Sequence, residues 1–385
     1  MMALDSETFD LMKDAVSRFV REKLVPAEDT VEETNDVPEE IIQEMRELGL
    51  FGLSIPEEYG GLGLSMAQEC EVIHELCKAS LAFRSVIGTT VGIGSQGLVM
   101  TGTEEQKKQY LPRLASGEIM SSFCLTEPEA GSDAASLRTV AVRDGDDYVL
   151  NGTKRYITNA LRAGMLTVMA RTDSSKKGAS GISAFLVDPA TPGVTIAKAD
   201  EKMGQRGTKT SDVIFEDARI PASSLLGGSE GQGFYTAMKV LDRGRLHLSS
   251  VSTGISERII GEALSYAAER KQFGTVIGEF QLVQALLADS QAELFAGTAM
   301  TLDAARKYDK NEDISMLAAC CKMFTTEAAG RIADRAVQIH GGAGYMAEYK
   351  VERFYRDVRL LRLYEGTTQI QQLVIARNML KSHGN

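Results

Sequence analysis

"DDYVLNGTKRYIT", residues 146–158, is the stretch on which the fold turns. β-Branched and aromatic residues alternate here with polar ones, and Asn151-Gly152 is a dipeptide that favours the tight turn of a β-hairpin. The same texture runs in both directions. "SSFCLTE", "MLTVMAR", "ISAFLVD", "GVTIAKA" and "SDVIFEDARIP" are short apolar runs separated by turns. Residues 118–232 therefore read as a central antiparallel, β-barrel-like domain. On the N-terminal side the period changes from two to 3.6. Phe9, Met12, Val16, Phe19 and Val20 recur at helical spacing, as do Ile41, Ile42, Met45 and Leu48. Residues 66–79 and 103–114 continue the pattern, so 1–117 form an α-helical domain broken by the Pro/Gly-rich stretch 55–65. Beyond the strands, helices are expected over 233–271, 280–307, 313–342 and 368–382, making 233–385 a helical bundle. In the second of these, Leu282, Leu286, Leu287, Leu294 and Phe295 form a broad apolar stripe, and such leftover faces meet sister subunits. An α, β, α order without βαβ alternation speaks against a Rossmann fold.

The bulk numbers narrow the class. The chain has 385 residues, 43% hydrophobic and 25% charged, the balance of a folded protein with room for two or three packed units. A net charge of −11 repels phosphate backbones, so no nucleic-acid partner is expected. No uncharged apolar run approaches the ~18 residues of a membrane span. The acidic start "MMALDSETFD" lacks a secretory apolar segment. Cytoplasmic residence is expected, with a mature mitochondrial-matrix form left open. Cys70, Cys77, Cys124, Cys320 and Cys321 show no disulfide pattern. Cys70, His74 and Cys77 could share one helical face, but they read as core and surface residues, and no metal is expected.

Two motifs are decoys. "GIGSQG" (92–97) matches G-x-G-x-x-G, but a helical segment precedes it where a strand is required, so its glycines read as close helix packing. "GGSEG" (227–231) matches the nucleophile elbow G-x-S-x-G, yet it sits in what reads as an interdomain loop.

A set of distant motifs carries more. "FCLTEPEAGSD" (123–133) leaves a strand into a loop offering backbone N–H groups, Thr126 and Ser132. "RYITN" (155–159) puts an aromatic and a threonine on the next strand. "LDRGR" (241–245) begins a helix, "ERKQFG" (269–274) closes one with two cations, and "QIHGGAGY" (338–345) and "RLYEGTTQIQ" (362–371) follow. Singly, each has an ordinary structural use: Arg270 and Lys271 as complements to a helix C-terminus, Gly341-Gly342 as a helix stop, Thr368 with Gln371 as a capping box. Together and in this order they resemble the acyl-CoA dehydrogenase flavoproteins, over essentially the whole chain.

That resemblance implies an N-terminal helical domain, a central β domain and a C-terminal four-helix bundle, assembled as a homotetramer. It implies FAD between β domain and bundle, an acyl-CoA substrate, and electron-transfer flavoprotein as electron acceptor. The implied FAD contacts are Phe123, Leu125, Thr126, Gly131 and Ser132, then Tyr156, Ile157 and Thr158. Arg270, Phe273 and Gln281 follow across a subunit boundary, with Gln338, Gly341, Gly342, Thr367 and Gln369. The CoA thioester falls to Ser132, Asp242, Arg245, Tyr364 and Gly366. Desaturation needs a base for the α proton and a hydride acceptor, which no side chain can be. By resemblance Glu365 is that base, and its own N–H helps hold the thioester oxygen. A branch of the family carries its base at the position of Gly244, where glycine cannot serve. Two departures stand out: Tyr156 replaces the usual tryptophan, and Glu129 replaces a common glycine, which implies an exposed position.

"ASLAFRSVIGTT" (79–90) bears on the acyl group. Arg84-Ser85 falls in the register of an Arg-Ser pair of glutaryl-CoA dehydrogenases, where arginine binds the distal carboxylate. A guanidinium in an apolar pocket is costly unless an anion pairs it. A short dicarboxylyl or other anionic-tailed acyl-CoA is therefore expected. The competing reading makes Arg84 a helix-surface residue or the partner of a protein acid, and the substrate a short or medium straight- or branched-chain acyl-CoA. "TQIQQLVIARNML" (368–380) looks more like the straight-chain enzymes. A same-fold oxidase or monooxygenase, or a non-catalytic nucleic-acid-binding flavoprotein, are the other readings.

Overall fold

The computed structural model describes residues 4–176 and 178–383, so the outermost residues of the first and last units lie outside it. The chain opens with helices α1 (Ser6–Phe19), α2 (Val25–Thr34), α3 (Glu39–Glu47), α4 (Met66–Leu76), α5 (Leu81–Gly88), α6 (Gln96–Thr101) and α7 (Glu104–Ala115). Their starts are written in polar side chains. Asp5 accepts the Thr8 N–H, and Ser65 with Gln68 and Thr103 with Gln106 form reciprocal capping boxes.

The central unit is one curled sheet of β1 (Met120–Cys124), β2 (Val140–Asp144), β3 (Asp147–Thr158), β4 (Ala163–Arg171), β5 (Ile182–Val187), β6 (Val194–Ile196) and β7 (Thr210–Pro221). Its order is β1-β4-β2-β3-β7-β6, with β5 also on β4, and β6 pairs only with β7, so the sheet does not close. Two expectations need correction. The sheet is mixed, because β1 runs parallel to β4. Asn151-Gly152 is also not the hairpin turn. The turn lies at Gly145-Asp146, where Gly145 takes φ 62° and Asp144 faces Asp147. Asn151 and Gly152 stay inside β3, at a break in register with β7. A Cβ on Gly152 would lie 2.5 Å from Thr139 Oγ1, so the glycine serves a bulge where another strand end comes close.

The last unit contains α8 (Gly233–Glu269), α9 (Gln281–Asp309), α10 (Ser315–His340), α11 (Lys350–Val358) and α12 (Thr368–His383). A two-residue-strand hairpin, β8 (Lys271–Gln272) and β9 (Thr275–Val276), joins α8 to α9. The four long helices match the sequence reading; α11, charged on one face and burying Val351, Phe354 and Val358 on the other, was not foreseen. The α9 stripe is divided. Leu294 is buried, whereas Leu282 and Phe295 face outward.

Phe19, Leu76 and Phe83 of the first unit share one core with Ile255, Ile332 and Phe354 of the last. Each such side chain contributes ~1.5–3 kcal/mol on burial, so the two helical units are fixed to each other. The sheet keeps its own interior around Tyr148, Phe185, Val213 and Phe215. Glycines of the first decoy do pack closely: a Cβ on Gly94 would sit 2.2 Å from Ser121 Oγ of β1. The functional cleft opens where the three units meet.

Candidate active site

A cavity of about 360 Å³ lies between the end of β1, the C-terminal end of β3, α5, α8 and the turn before α12. β1 delivers Phe123 and hands over to a loop that contributes Leu125, Thr126, Gly131 and Ser132. That loop is pinned from beneath. The buried Glu127 carboxylate accepts N–H bonds from Arg138 (2.6 Å) and Thr139 (2.9 Å) and pairs with Lys154 Nζ at 2.7 Å. Glu129 is exposed, beside Arg138.

β3 delivers Tyr156, Ile157 and Thr158. A second register break between Lys154 and Ile157 gives Tyr156 a left-handed backbone, φ 59°, and leaves its ring exposed under the Arg155 guanidinium. The Arg155 N–H donates to Thr126 O (2.8 Å), which ties the two cavity-forming segments together. Asn159 then donates to Ser85 O (2.7 Å) and Thr89 Oγ1 (2.9 Å), stitching the strand end to α5.

Glu365 sits at the bottom of the cleft. Its φ is 53° and that of Gly366 is 88°, two left-handed residues in a row. Three hydrogen bonds hold this turn. Gln371 Nε2 donates to Glu365 O (3.2 Å) and Gly366 O (2.9 Å), and the buried Lys322 ammonium donates to Gly366 O (2.7 Å). Gln371 therefore does not form a box with Thr368. The capping hydroxyl belongs to Thr367, which accepts the Ile370 N–H, and Thr368 donates to Glu327 (2.6 Å). Glu365 Oε2 has no hydrogen-bond partner, and its backbone N–H has no acceptor among the described residues. Burial drives the Glu365 carboxyl up to about 7, opposed by the charges of Arg84, Lys322 and Arg245. Lys322 is pushed the other way, down to about 8, again by burial first, with Glu365 opposing. A Cβ on Gly244 would stand 2.6 Å from Glu365 Oε2, so positions 244 and 365 aim at one point and only one of them has room for a side chain.

Arg84, Ser85, Arg245, Tyr364 and Gly366 also line the cavity. Arg84 is buried, which removes the surface-helix reading. No carboxylate lies within ion-pair distance of it among the described residues, and its Nε donates to His247 Nε2 at 2.9 Å. Arg245 pairs with Asp242, which stands behind the wall.

The remaining expected residues do not converge on this cavity in one chain. Thr367 and Gln369 lie at the start of α12, outside the lining. Arg270 lies about 37 Å along α8 from Arg245, at 1.5 Å per residue. Phe273 and Gln281 adjoin it, and Phe273 is 95% exposed. Gln338, Gly341 and Gly342 close α10 near the same end, where His340 stacks on Tyr266 of α8. Ser229 of the second decoy lies outside the cavity.

Sequence reading missed several participants: Glu69, Arg243 and His247 behind Arg84, Lys322 beneath the Glu365 turn, and the Glu127–Lys154 pair. One signal was present. Arg243 and His247 are four apart on α8, hence on one face.

Comparison with known proteins agrees with this geometry. Sequence models of the acyl-CoA dehydrogenase N-terminal, middle and C-terminal domains match residues 6–118, 122–218 and 231–380. A probable acyl-CoA dehydrogenase, YngJ, of Bacillus subtilis is 42% identical over 371 residues, covering 96% of this chain and 97% of its own. A caffeyl-CoA reductase–Etf complex subunit, CarC, of Acetobacterium woodii is 41% identical, covering 92% and 93%. Among solved structures, butyryl-CoA dehydrogenase from Megasphaera elsdenii superposes with a TM-score of 0.93 at 34% identity, covering 99% of this chain and 100% of its own. A glutaryl-coenzyme A dehydrogenase in complex with glutaryl-CoA superposes with a TM-score of 0.94 at 33% identity, covering 99% and 97%.

Proposed function

The chain belongs to the acyl-CoA dehydrogenase family, FAD-dependent oxidoreductases acting on acyl-CoA, and from that premise we propose that it works on a short acyl-CoA with an anionic tail, with Glu365 as the α-proton base and Arg84 as the reader of the tail. The cleft suits the cofactor. Gly131 has open space where a Cβ would be, Thr126, Ser132 and Thr158 offer hydroxyls beside it, and Glu365 lines the same cavity. Phe123, Leu125, Tyr156 and Ile157 supply apolar and aromatic surface for a flat ring system. Bound there, FAD supplies the hydride acceptor that the side chains lack.

The other steps belong to the protein. Arg245, kept in place by Asp242, and Ser132 hold the CoA portion. Gly366 leaves room for the thioester, Tyr364 walls it, and the free Glu365 N–H donates to its oxygen as enolate charge develops. The Glu365 carboxylate takes the α proton. A base raised to about 7 is ionised for a useful fraction of molecules near neutrality yet basic enough to attack a weak carbon acid. Arg270, Phe273, Gln281, Gln338, Gly341 and Gly342 complete the cofactor site of a neighbouring subunit, with Thr367 and Gln369 near the boundary. Their distance from their own cleft supports this, as do the outward-facing Leu282 and Phe295, and a homotetramer satisfies both. The electron acceptor is electron-transfer flavoprotein, in line with the Etf partner named for the Acetobacterium relative.

The observation that carries the anionic-tail reading is Arg84 itself: a buried guanidinium on the acyl cavity with no carboxylate partner among the described residues. An unpaired buried cation is costly, and an anion on the substrate offsets that cost. The test is a substrate panel on purified holoenzyme. Glutaryl-CoA should be preferred over butyryl-CoA, and Arg84→Ala should remove the preference by about 100-fold or more, the scale of losing a buried charge partner. Equal activity on both, unchanged by Arg84→Ala, defeats it. The reductase name of the Acetobacterium relative favours one other reading, the same bond worked in the reducing direction. A carboxyl near 7 can then deliver the α proton as readily as remove it. Product analysis with an enoyl-CoA and a reduced acceptor separates the two directions.

A further inference from the structure

Arg84 is a donor at every nitrogen, so whatever touches its Nε must accept. His247 Nε2 does so at 2.9 Å, and Nδ1 of the same ring lies 2.7 Å from Glu69 Oε1, which can only accept. A donor-only neighbour on one side and an acceptor-only neighbour on the other leave His247 one tautomer, with hydrogen on Nδ1 and Nε2 bare. Both His247 and Glu69 are completely buried. Burial, then the charge of Arg84, holds the imidazole down to about 4, so the ring stays neutral through the working range. The second Glu69 oxygen is taken by Arg243, which is also buried and whose Nη1 donates to Val91 O at 3.3 Å. Glu69 forms its ion pair with Arg243, so among the described residues the guanidinium of Arg84 is left without a carboxylate at ion-pair distance. Its Nη1 and Nη2 make no hydrogen bond among the described residues and are not sealed off, while the side chain lines the cavity.

The backbone adds a second constraint. A Cβ on Gly88 would stand 2.8 Å from Arg84 Cζ and 2.9 Å from its Nε, so the missing side chain is the slot in which the guanidinium lies. Gly92, one turn on, flanks the His247 ring at 3.7 Å from where its Cβ would be. The Arg84 side chain thus runs along α5 toward its C-terminal end, and Gly92 lies in the helical stretch that follows.

We propose that His247 is a positioning residue for acyl-chain selectivity: it clamps Arg84 at Nε, against the Gly88 slot, so that Nη1 and Nη2 stand free to take a carboxylate at the far end of the acyl chain. This deepens the anionic-tail assignment of Arg84 and rests on it. His247 touches neither substrate nor cofactor. Its effect is the direction of the fork: with Nε committed to His247, the bidentate edge left to a carboxylate is the one formed by both terminal nitrogens. Glu69 fixes the tautomer, and Arg243 keeps Glu69 ionised.

The experiment compares wild type, His247→Leu and His247→Gln holoenzymes on glutaryl-CoA and butyryl-CoA, with titration calorimetry of redox-inert thioether analogues of both. Leucine removes the acceptor; glutamine can accept from Arg84 while donating to Glu69. The glutaryl-to-butyryl ratio of kcat/KM should fall about tenfold or more in the leucine variant, through KM, with a matching loss in analogue affinity. Glutamine should restore it to within about threefold of wild type. A wild-type preference that survives in His247→Leu overturns the role of His247 and leaves the Arg84 assignment standing. A wild-type enzyme with no preference, unaltered in Arg84→Ala, fails the Arg84 assignment instead. Should His247→Leu not hold FAD, Gly88→Ala takes its place. It crowds the guanidinium and leaves Glu69, Arg243 and His247 in place, and a full glutaryl preference there equally overturns the clamp.

Discussion

Varying pH against the state of Glu365 gives a sharp test of the cleft's electrostatics. Two opposed effects set that carboxyl. Burial raises it, and Arg84, Lys322 and Arg245 pull it back, leaving about 7 against an ordinary 4.5. A base of that strength is about one-eleventh ionised at about pH 6 and about ten-elevenths at about pH 8. The rate at which saturating acyl-CoA bleaches the enzyme's flavin should therefore rise about tenfold across that interval and then level off. Rapid mixing under anaerobic conditions measures it directly. An unshifted carboxyl would change its ionised fraction by only about 3% over the same range, so a flat profile refutes the desolvated base. Stability provides an independent arm. Because the folded-state pKa is raised, the group favours the folded state fully below about 4.5, and that contribution is lost as the pH climbs through about 7. The loss amounts to about 3 kcal/mol from the size of the shift. Glu365→Gln carries no such penalty. It should melt higher than wild type at about pH 8 and at nearly the same temperature at about pH 5, and the reverse order would contradict the linkage.

Two further substitutions probe the turn that carries the base. Lys322→Met removes a cation that favours the Glu365 carboxylate and a donor to Gly366 O, so the midpoint of the bleaching profile should move to higher pH and the plateau should fall. An unmoved midpoint would show that the ammonium does not act on Glu365. Gly244→Ala places a methyl 2.6 Å from the present Glu365 Oε2 position. FAD content should hold while the bleaching rate drops by up to about 100-fold, the scale of a misplaced reacting group; an unchanged rate would mean the carboxylate points elsewhere.

Much of this architecture is legible in the chain because local signals carry it. The long helices α8, α9, α10 and α12 follow from apolar periodicity, and their ends fall within a few residues of the reading. The cavity-lining motifs at 123–132, 156–158 and 364–366 lie close in space although far apart in sequence, a juxtaposition that resemblance supplied and local pattern could not. The misreadings share a cause. Asn151-Gly152 has hairpin chemistry, but strands β2 and β7 claim both sides of β3, and pairing overrides a local turn preference. Thr368 and Gln371 have the spacing of a capping box, yet Glu327 and the Glu365–Gly366 carbonyls compete for their side chains. The buried Glu69–Arg243–His247–Arg84 chain spans up to 178 positions, and nothing in composition reveals which charges will meet. Lys322 looked like any helical lysine until the turn carrying Glu365 packed over it.

The most direct measurement is the visible spectrum of purified Glu365→Gln and wild-type protein, each mixed anaerobically with the preferred acyl-CoA. Both should be yellow with equal FAD content, and only the wild type should bleach. A glutamine variant that bleaches at the wild-type rate would place the base elsewhere and contradict the assignment of the α proton to Glu365.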